Sequence, residues 1–128
     1  MTDEELVRAF EAGEMPAGGF PHTAHVRVAW WYLGRHSLPA ALERFSTALR
    51  RFAAAQGKPE RYHETITVAY VLLINERLDQ SPRTGWEQFA SANPDLLQWK
   101  PSVLERYYSH AALWSDRARR TFVMPDLV

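Results

Sequence analysis

Apolar side chains recur every three to four residues over much of the chain, which is the period of an α-helix. The clearest stripe lies within residues 38–52 and consists of Leu38, Ala41, Leu42, Phe45, Leu49 and Phe52. The charged residues that lie off this stripe, on the expected solvent face, are Glu43, Arg44, Arg50 and Arg51. Ser37 is the expected N-cap, and Gly57 followed by Pro59 marks the expected end of the helix.

Capping residues and prolines predict further helices. Thr2 and Glu5 have the spacing of a capping box, so a first helix is expected to end at Gly13. A second is expected from Pro21 to Gly34, because proline suits the first turn of a helix. A short helix is expected after the cap Thr84, through Trp86 and Phe89, and closed by Asn93-Pro94. Another is expected over 101–111, opened by Pro101 or, if Ser102 is instead the cap, by a Ser102–Glu105 capping box, and a last one over 117–123 after Ser115. The tail from Met124 is expected to be extended.

Residues 62–78 have two interpretations. The run Ile66–Ile74 is rich in β-branched side chains, which is typical of a buried strand. The length of the segment and its ending at 75–78 instead favour a helix that is apolar nearly all round. We expect the helix, at the centre of a bundle.

Helices joined by short loops, without a convincing hairpin signal, predict an all-α fold. The 128 residues suit one domain, since a single core usually serves about 100–200 residues. We therefore expect one bundle of about five to seven helices over residues 1–128. The third and fourth helices are expected to form much of its core.

Composition narrows the classes of function. Fifteen Lys and Arg against fifteen Asp and Glu give a net charge of zero, which argues against nucleic-acid or anionic-membrane partners. The absence of cysteine excludes disulfides, thiolate nucleophiles and cysteine-bound metals. The acidic start at Met1–Glu5 is unlike a signal peptide, and no apolar run approaches the roughly 20 residues that span a bilayer. We expect a cytoplasmic protein with no nucleic-acid or membrane partner.

Two histidines, His22 and His25, lie one turn apart at the start of the second predicted helix. Because residues three apart share a helix face, their rings can converge on one ion or one substrate. The free N–H groups and the dipole of the helix N-terminus favour neutral imidazoles, which both a metal and a general base require. The same end of the helix suits an anionic ligand.

A third histidine opens the fourth predicted helix, in Tyr62-His-Glu-Thr-Ile-Thr67. The string resembles the start of a zinc-protease motif, but Thr67 stands where the second histidine is required, so that interpretation is rejected. Glu60 and His63 form one Glu-x-x-His match, whereas a di-iron bundle needs two such matches. The di-iron interpretation is therefore weakly supported.

A shared site follows if these two helices are neighbours. The three histidines and Glu64 would then hold a divalent transition metal, Zn or Fe, or form a metal-free pocket with one histidine as general base. The predicted metal ligands are His22, His25 and His63, and the predicted catalytic residues are His25, His63 and Glu64. The predicted ligand-binding residues are His22, Tyr62, Thr67, Tyr107 and Tyr108. The alternative is structural, with the histidines acting as caps or buried hydrogen-bonded groups.

Consecutive tryptophans suggest a second kind of function. Trp30 and Trp31 point about 100° apart on a helix, so they cannot both face one core. One of them is expected to line a pocket wall or a partner interface, and a homodimer is one such arrangement. The leading prediction is a small-molecule-binding domain, with or without enzymatic activity. The alternative is a helical interaction or homo-oligomerisation module.

Four segments together carry a family resemblance. They are F-x-H-x-x-H-x-R-x-A-W from Phe20 to Trp30, Y-H-E-T-x-T from Tyr62 to Thr67, and the stretches Leu104–Ser109 and Phe122–Asp126. In these segments the chain resembles a family of small bacterial proteins to which no function is assigned. The resemblance implies a bacterial, cytoplasmic, free-standing protein and implies no mechanism.

Overall fold

The computed structural model describes residues 1–16, 19–79 and 85–127. In these ranges the regular structure is helical, with eight α-helices and two 3₁₀-helices and no β-strand beyond one isolated bridge between Trp99 and Ser102. Five of the α-helices have seven or more residues. The predicted all-α fold is confirmed. The predicted cap Thr84 lies outside the described residues.

Contacts divide the chain into two compact units, which we call unit 1 (1–62) and unit 2 (63–128). The single domain predicted over residues 1–128 therefore stays a prediction. Unit 1 contains α1 (Asp3–Glu11), α2 (His22–Leu33), α3 (Leu38–Ala55) and a 3₁₀-helix (Pro59–Arg61). Unit 2 contains α4 (Glu64–Asp79), α5 (Trp86–Ala92), α6 (Pro94–Leu97), a 3₁₀-helix (Val103–Arg106), α7 (His110–Leu113) and α8 (Asp116–Arg120).

The helices of unit 1 begin and end where local signals predict. The Thr2 hydroxyl accepts a hydrogen bond from the Glu5 backbone N–H at 3.1 Å, and the Glu5 carboxylate accepts one from the Thr2 N–H at 2.9 Å, which completes the capping box. Ser37 caps α3 through the Ala40 N–H. Gly57 follows α3 with φ of 73°, a conformation that glycine adopts without strain.

Four phenylalanines form the centre of unit 1, and we call them the aromatic cluster. The fully buried Phe10 ring lies 4.9 Å from Phe20, 5.9 Å from Phe45 and 5.5 Å from Phe52, measured between ring centroids. Such offset and tilted pairs add to the free energy gained from burying the rings. The cluster joins α1 and α3 to Phe20, which lies two residues before the start of α2.

Residues 64–79 form the helix α4 rather than a strand, as expected. Its buried side chains occupy several faces and include Thr65, Thr67, Ala69, Tyr70, Val71 and Ile74. A helix buried on more than one side lies centrally in its unit. In unit 1, α3 likewise buries Ala41, Phe45 and Phe52. Each of the two helices thus supplies buried side chains in its own unit, and the expectation that they form much of the core of one bundle stays a prediction.

The predicted helix at 101–111 is wrong. Ser102 and Glu105 form their capping box, but the helix that follows is a short 3₁₀-helix that ends at Arg106. A separate helix, α7, begins after Ser109, whose hydroxyl accepts from the Ala112 N–H at 3.2 Å. Ser109 is a good helix cap, so it divides one amphipathic pattern into two short helices.

The predicted helix at 117–123 is shorter than expected, because α8 ends at Arg120. The extended segment from Thr121 packs along unit 2 through hydrogen bonds. The Thr65 hydroxyl donates to the Thr121 carbonyl at 2.9 Å and accepts from the Val123 N–H at 3.1 Å. Thr65 thus supplies hydrogen-bond partners for the backbone of Thr121 and Val123, and a further helical turn is not needed to satisfy these groups.

A membrane-crossing helix would need to be longer and more apolar than any helix in the part of the chain that the structure describes.

Candidate functional site

The predicted site residues fall in both units. Unit 1 contains His22, His25 and Tyr62, and unit 2 contains His63, Glu64, Thr67, Tyr107 and Tyr108. The cavity predicted to be shared by the two sets stays a prediction. Within each unit, the hydrogen bonds show which polar groups the fold already uses.

His25 packs against the aromatic cluster of unit 1. Its ring centroid lies 4.2 Å from that of Phe20, and its Nδ1 donates to the Pro21 carbonyl at 3.1 Å. Burial is the main cause that lowers the pKa of His25 to about 4; the hydrogen bond to Pro21 opposes this shift and the neighbouring His22 adds to it. The imidazole is neutral at pH 7, but burial is the main cause rather than the helix dipole. Its Nε2 is left as a hydrogen-bond acceptor.

His63 is a helix cap. Its Nδ1 accepts from the Ile66 backbone N–H at 3.1 Å, and its Nε2 donates to the Leu113 carbonyl at 2.7 Å. The side chain is buried, with the Trp114 ring edge-on at 5.2 Å, and burial lowers its pKa. Both ring nitrogens are thus engaged in the fold. These bonds favour the structural interpretation of His63, and its catalytic and metal-binding roles stay predictions without support from them.

Two of the predicted ligand-binding hydroxyls in unit 2 also serve the fold. The Thr67 hydroxyl donates to the His63 carbonyl at 2.7 Å, and the Tyr108 hydroxyl donates to the Val123 carbonyl at 2.7 Å. Tyr107 is exposed. In unit 1 the Tyr62 ring lies under the Arg50 guanidinium, 4.4 Å from ring centroid to Cζ.

A metal site requires three or more suitable side chains around one point. Among residues 1–16, 19–79 and 85–127, no group of three or more His, Asp or Glu side chains is arranged to hold a metal ion. The predicted Zn or Fe centre therefore has no support from the described geometry.

A different feature of unit 1 has the form of a binding site. A groove of about 430 Å³ follows α3, and its lining residues are Glu11, Tyr32, Ala40, Glu43, Arg44, Thr47, Ala48 and Arg51. The six residues from α3 recur at helical spacing, so they form one continuous stripe on the helix surface. Alanine and threonine are small, so this stripe leaves space between the charged side chains.

Some polar groups of the groove are hydrogen-bonded to each other, and others have no such bond. The buried Tyr32 hydroxyl donates to the Glu11 carboxylate at 2.5 Å, and burial together with this bond raises the pKa of Tyr32, which keeps the hydroxyl a donor. In the described part of the chain, by contrast, the side chains of Glu43, Arg44 and Arg51 have no hydrogen bond or ion pair. Three unpaired charges therefore line a groove with a bonded Tyr–Glu pair.

Sequence reasoning missed this groove because it assigned the α3 charges to a solvent face. The assignment to the solvent face is correct, since Glu43, Arg44, Arg50 and Arg51 are all exposed. The missing information was the alternation of small and charged residues on that face. A stripe that places Ala40, Thr47 and Ala48 among the charged side chains differs from an ordinary solvated face. It could have been noticed in the sequence.

Comparisons with known proteins find no matching family model, no similar curated protein and no similar solved structure.

Proposed function

We propose that the protein binds a small molecule in the groove along α3. The observation that carries the proposal is the pair of guanidinium groups, Arg44 and Arg51, which line the groove without a hydrogen bond or ion pair among the described residues. A guanidinium offers a planar fork of donors that matches a carboxylate or a phosphate. The ligand is therefore expected to carry an acidic group.

The dimensions of the groove suit this function. Small-molecule sites commonly enclose about 300–1,000 Å³ and combine apolar surface with a few placed polar groups. The groove has a volume of about 430 Å³, and its lining includes two alanines and Tyr32. The proposal keeps the small-molecule function predicted from the sequence but moves the site from the histidines to α3. It assigns binding and no reaction.

The experiment is a titration of ¹⁵N-labelled protein with succinate and, separately, with phenyl phosphate. We expect amide shifts concentrated at residues 40–51 and at Glu11. Thr47→Trp fills the groove from an exposed position on α3, and it should abolish these shifts.

The matched control is Ala54→Trp, which adds the same side chain to an exposed position of α3 outside the groove lining. It should leave the shifts intact. Shifts that are absent for both acids, or that persist unchanged in Thr47→Trp, would overturn the proposal.

A second candidate function is the interaction module, and unit 2 provides the observation in its favour. Trp99 and Trp114 expose 37% and 39% of their surface, and large exposed aromatic rings are common at protein interfaces. In unit 1 the Trp31 ring is instead covered by Arg35, 4.0 Å from ring centroid to Cζ. Native mass spectrometry of Trp114→Ala tests this candidate: an oligomer that dissociates in the variant supports it, and a monomeric parent protein contradicts it.

A further inference from the structure

We infer that the α3 groove takes a short peptide with free termini, or an equally extended zwitterion, held by Glu43 at one end and Arg51 at the other. The inference rests on the proposed function, because it names the ligand class of the same groove. It depends on the order of charges along the helix.

The unpaired charges of the groove have a fixed order along α3. Glu43 and Arg44 are neighbours towards the N-terminal end of the stripe, and Arg51 lies about two turns further on at its C-terminal end. An anion alone is attracted by Arg44 and Arg51, but it leaves the Glu43 carboxylate without a partner. A ligand with an ammonium at one end and a carboxylate at the other is complementary to both Glu43 and Arg51.

The spacing sets the length of the ligand. Eight residues separate position 43 from position 51, which is about 12 Å along an α-helix at 1.5 Å per residue. An α-amino acid is too short to place its two charges so far apart. Three extended residues span about 10–11 Å, so a tripeptide has the required length.

The groups that line the groove beside Glu43 and before Arg51 suit a peptide backbone. The Arg44 guanidinium is a donor and the Thr47 hydroxyl is both donor and acceptor, so together they match the carbonyl and N–H groups of a peptide. Ala40 and Ala48 leave room beside them. The groove therefore has a partner for each kind of polar group that a short free peptide carries.

Triglycine is the probe, because N-acetyl-triglycine lacks only its ammonium and triglycinamide lacks only its carboxylate. We expect triglycine to bind about fivefold more tightly than either capped form, since an exposed ion pair contributes little more than that. Binding is measured by the amide shifts of residues 40–51 in the labelled full chain.

Two variants test the orientation. Glu43→Gln should lower triglycine binding to the level of N-acetyl-triglycine and leave the N-acetyl form unaffected. Arg51→Gln should lower it to the level of triglycinamide and leave the amide unaffected. Circular dichroism of both variants checks that α3 is intact.

The outcomes separate this inference from the proposed function. If succinate or phenyl phosphate binds the groove but triglycine does not, or if N-acetyl-triglycine binds as tightly as triglycine, the inference fails and the proposed function stands. If none of these compounds shifts residues 40–51, both fail. Equal losses for all three peptides in Glu43→Gln would also overturn the inference, because the ammonium would then have no specific partner.

Discussion

Unit 1 and unit 2 are both helical, but they use their polar side chains in different ways. Unit 1 packs three helices around the aromatic cluster, and although Arg27 pairs with Asp3, the side chains of Glu43, Arg44 and Arg51 on α3 have no hydrogen bond or ion pair among the described residues. In unit 2 the short helices are joined by side-chain hydrogen bonds, such as those of His63 and Thr65. Polar groups that hold a fold together are not available to a ligand, so the unpaired charges of unit 1 are the better candidates.

An ion pair in unit 2 illustrates the same use of polar groups. The Arg77 guanidinium donates to both carboxylate oxygens of Asp95, at 2.7 and 3.0 Å, and also to the Asn93 side chain at 2.9 Å. The bonds from Arg77 hold the pKa of Asp95 at about 2. This cluster connects α4 to α6 and leaves little hydrogen-bonding capacity unused.

The largest loss of stability is expected from a substitution in the aromatic cluster. Phe10→Ala should lower the free energy of unfolding by about 3–5 kcal/mol, because it leaves a cavity among three other rings. Urea unfolding followed by circular dichroism measures the loss. Phe122→Ala, which truncates a half-buried ring in unit 2, is the matched control. A Phe10 variant no less stable than this control would contradict the contrast between the units.

A smaller effect is expected from the cap of α4. His63→Ala should cost about 1–3 kcal/mol, because the Ile66 N–H and the Leu113 carbonyl both lose their partner. His63→Asn should recover part of the loss, since asparagine can cap a helix. His110→Ala, at an exposed histidine, is the control. A His63→Ala variant as stable as the parent protein would argue that the ring is free for other chemistry.

The smallest change in stability is expected when the pH is lowered from 7 to 6. The folded-state pKa of His25 is about 4, below its ordinary value of 6.5, so the unfolded chain binds more protons between these values. Stability is therefore fully present above pH 6.5 and is lost as the pH falls towards 4, by at most about 1 kcal/mol between pH 7 and pH 6. The lowered pKa of His63 acts in the same direction.

Thermal unfolding at pH 7, 6 and 5 measures this dependence. In His25→Gln the midpoint should fall less steeply with decreasing pH than in the parent protein. A variant with the same slope as the parent would show that His25 is readily protonated in the folded chain.

Much of the fold could be predicted because its signals are local. The start of α3 at Ser37 and its end before Gly57 depend on residues within one turn of each terminus. The division of the predicted helix at 101–111 could not be predicted in this way. There Ser109 caps α7 while its own N–H donates to Asp126 at 2.8 Å, seventeen residues further along the chain.

The candidate site was harder to predict than the fold. A histidine such as His63 has the same side chain whether it binds a ligand or caps a helix, and the Leu113 carbonyl that occupies its Nε2 is fifty residues away. Arg44 and Arg51 present the opposite difficulty, because they are ordinary surface residues by type and yet line a groove. Their residue type is common on a solvated face, and only the small neighbours on α3 distinguish the groove from such a face.

The extended segment after α8 has a consequence for enzymes that trim peptides. Its bonds to Thr65 are joined by those from the Tyr108 hydroxyl to Val123, from the Ser109 N–H to Asp126, and from the Leu127 N–H to the Tyr107 carbonyl. A protease binds a backbone whose hydrogen-bonding groups are not already engaged, so this segment must first detach from the rest of unit 2. Digestion at this position is then limited by local opening of the unit rather than by the cleavage preference of the enzyme.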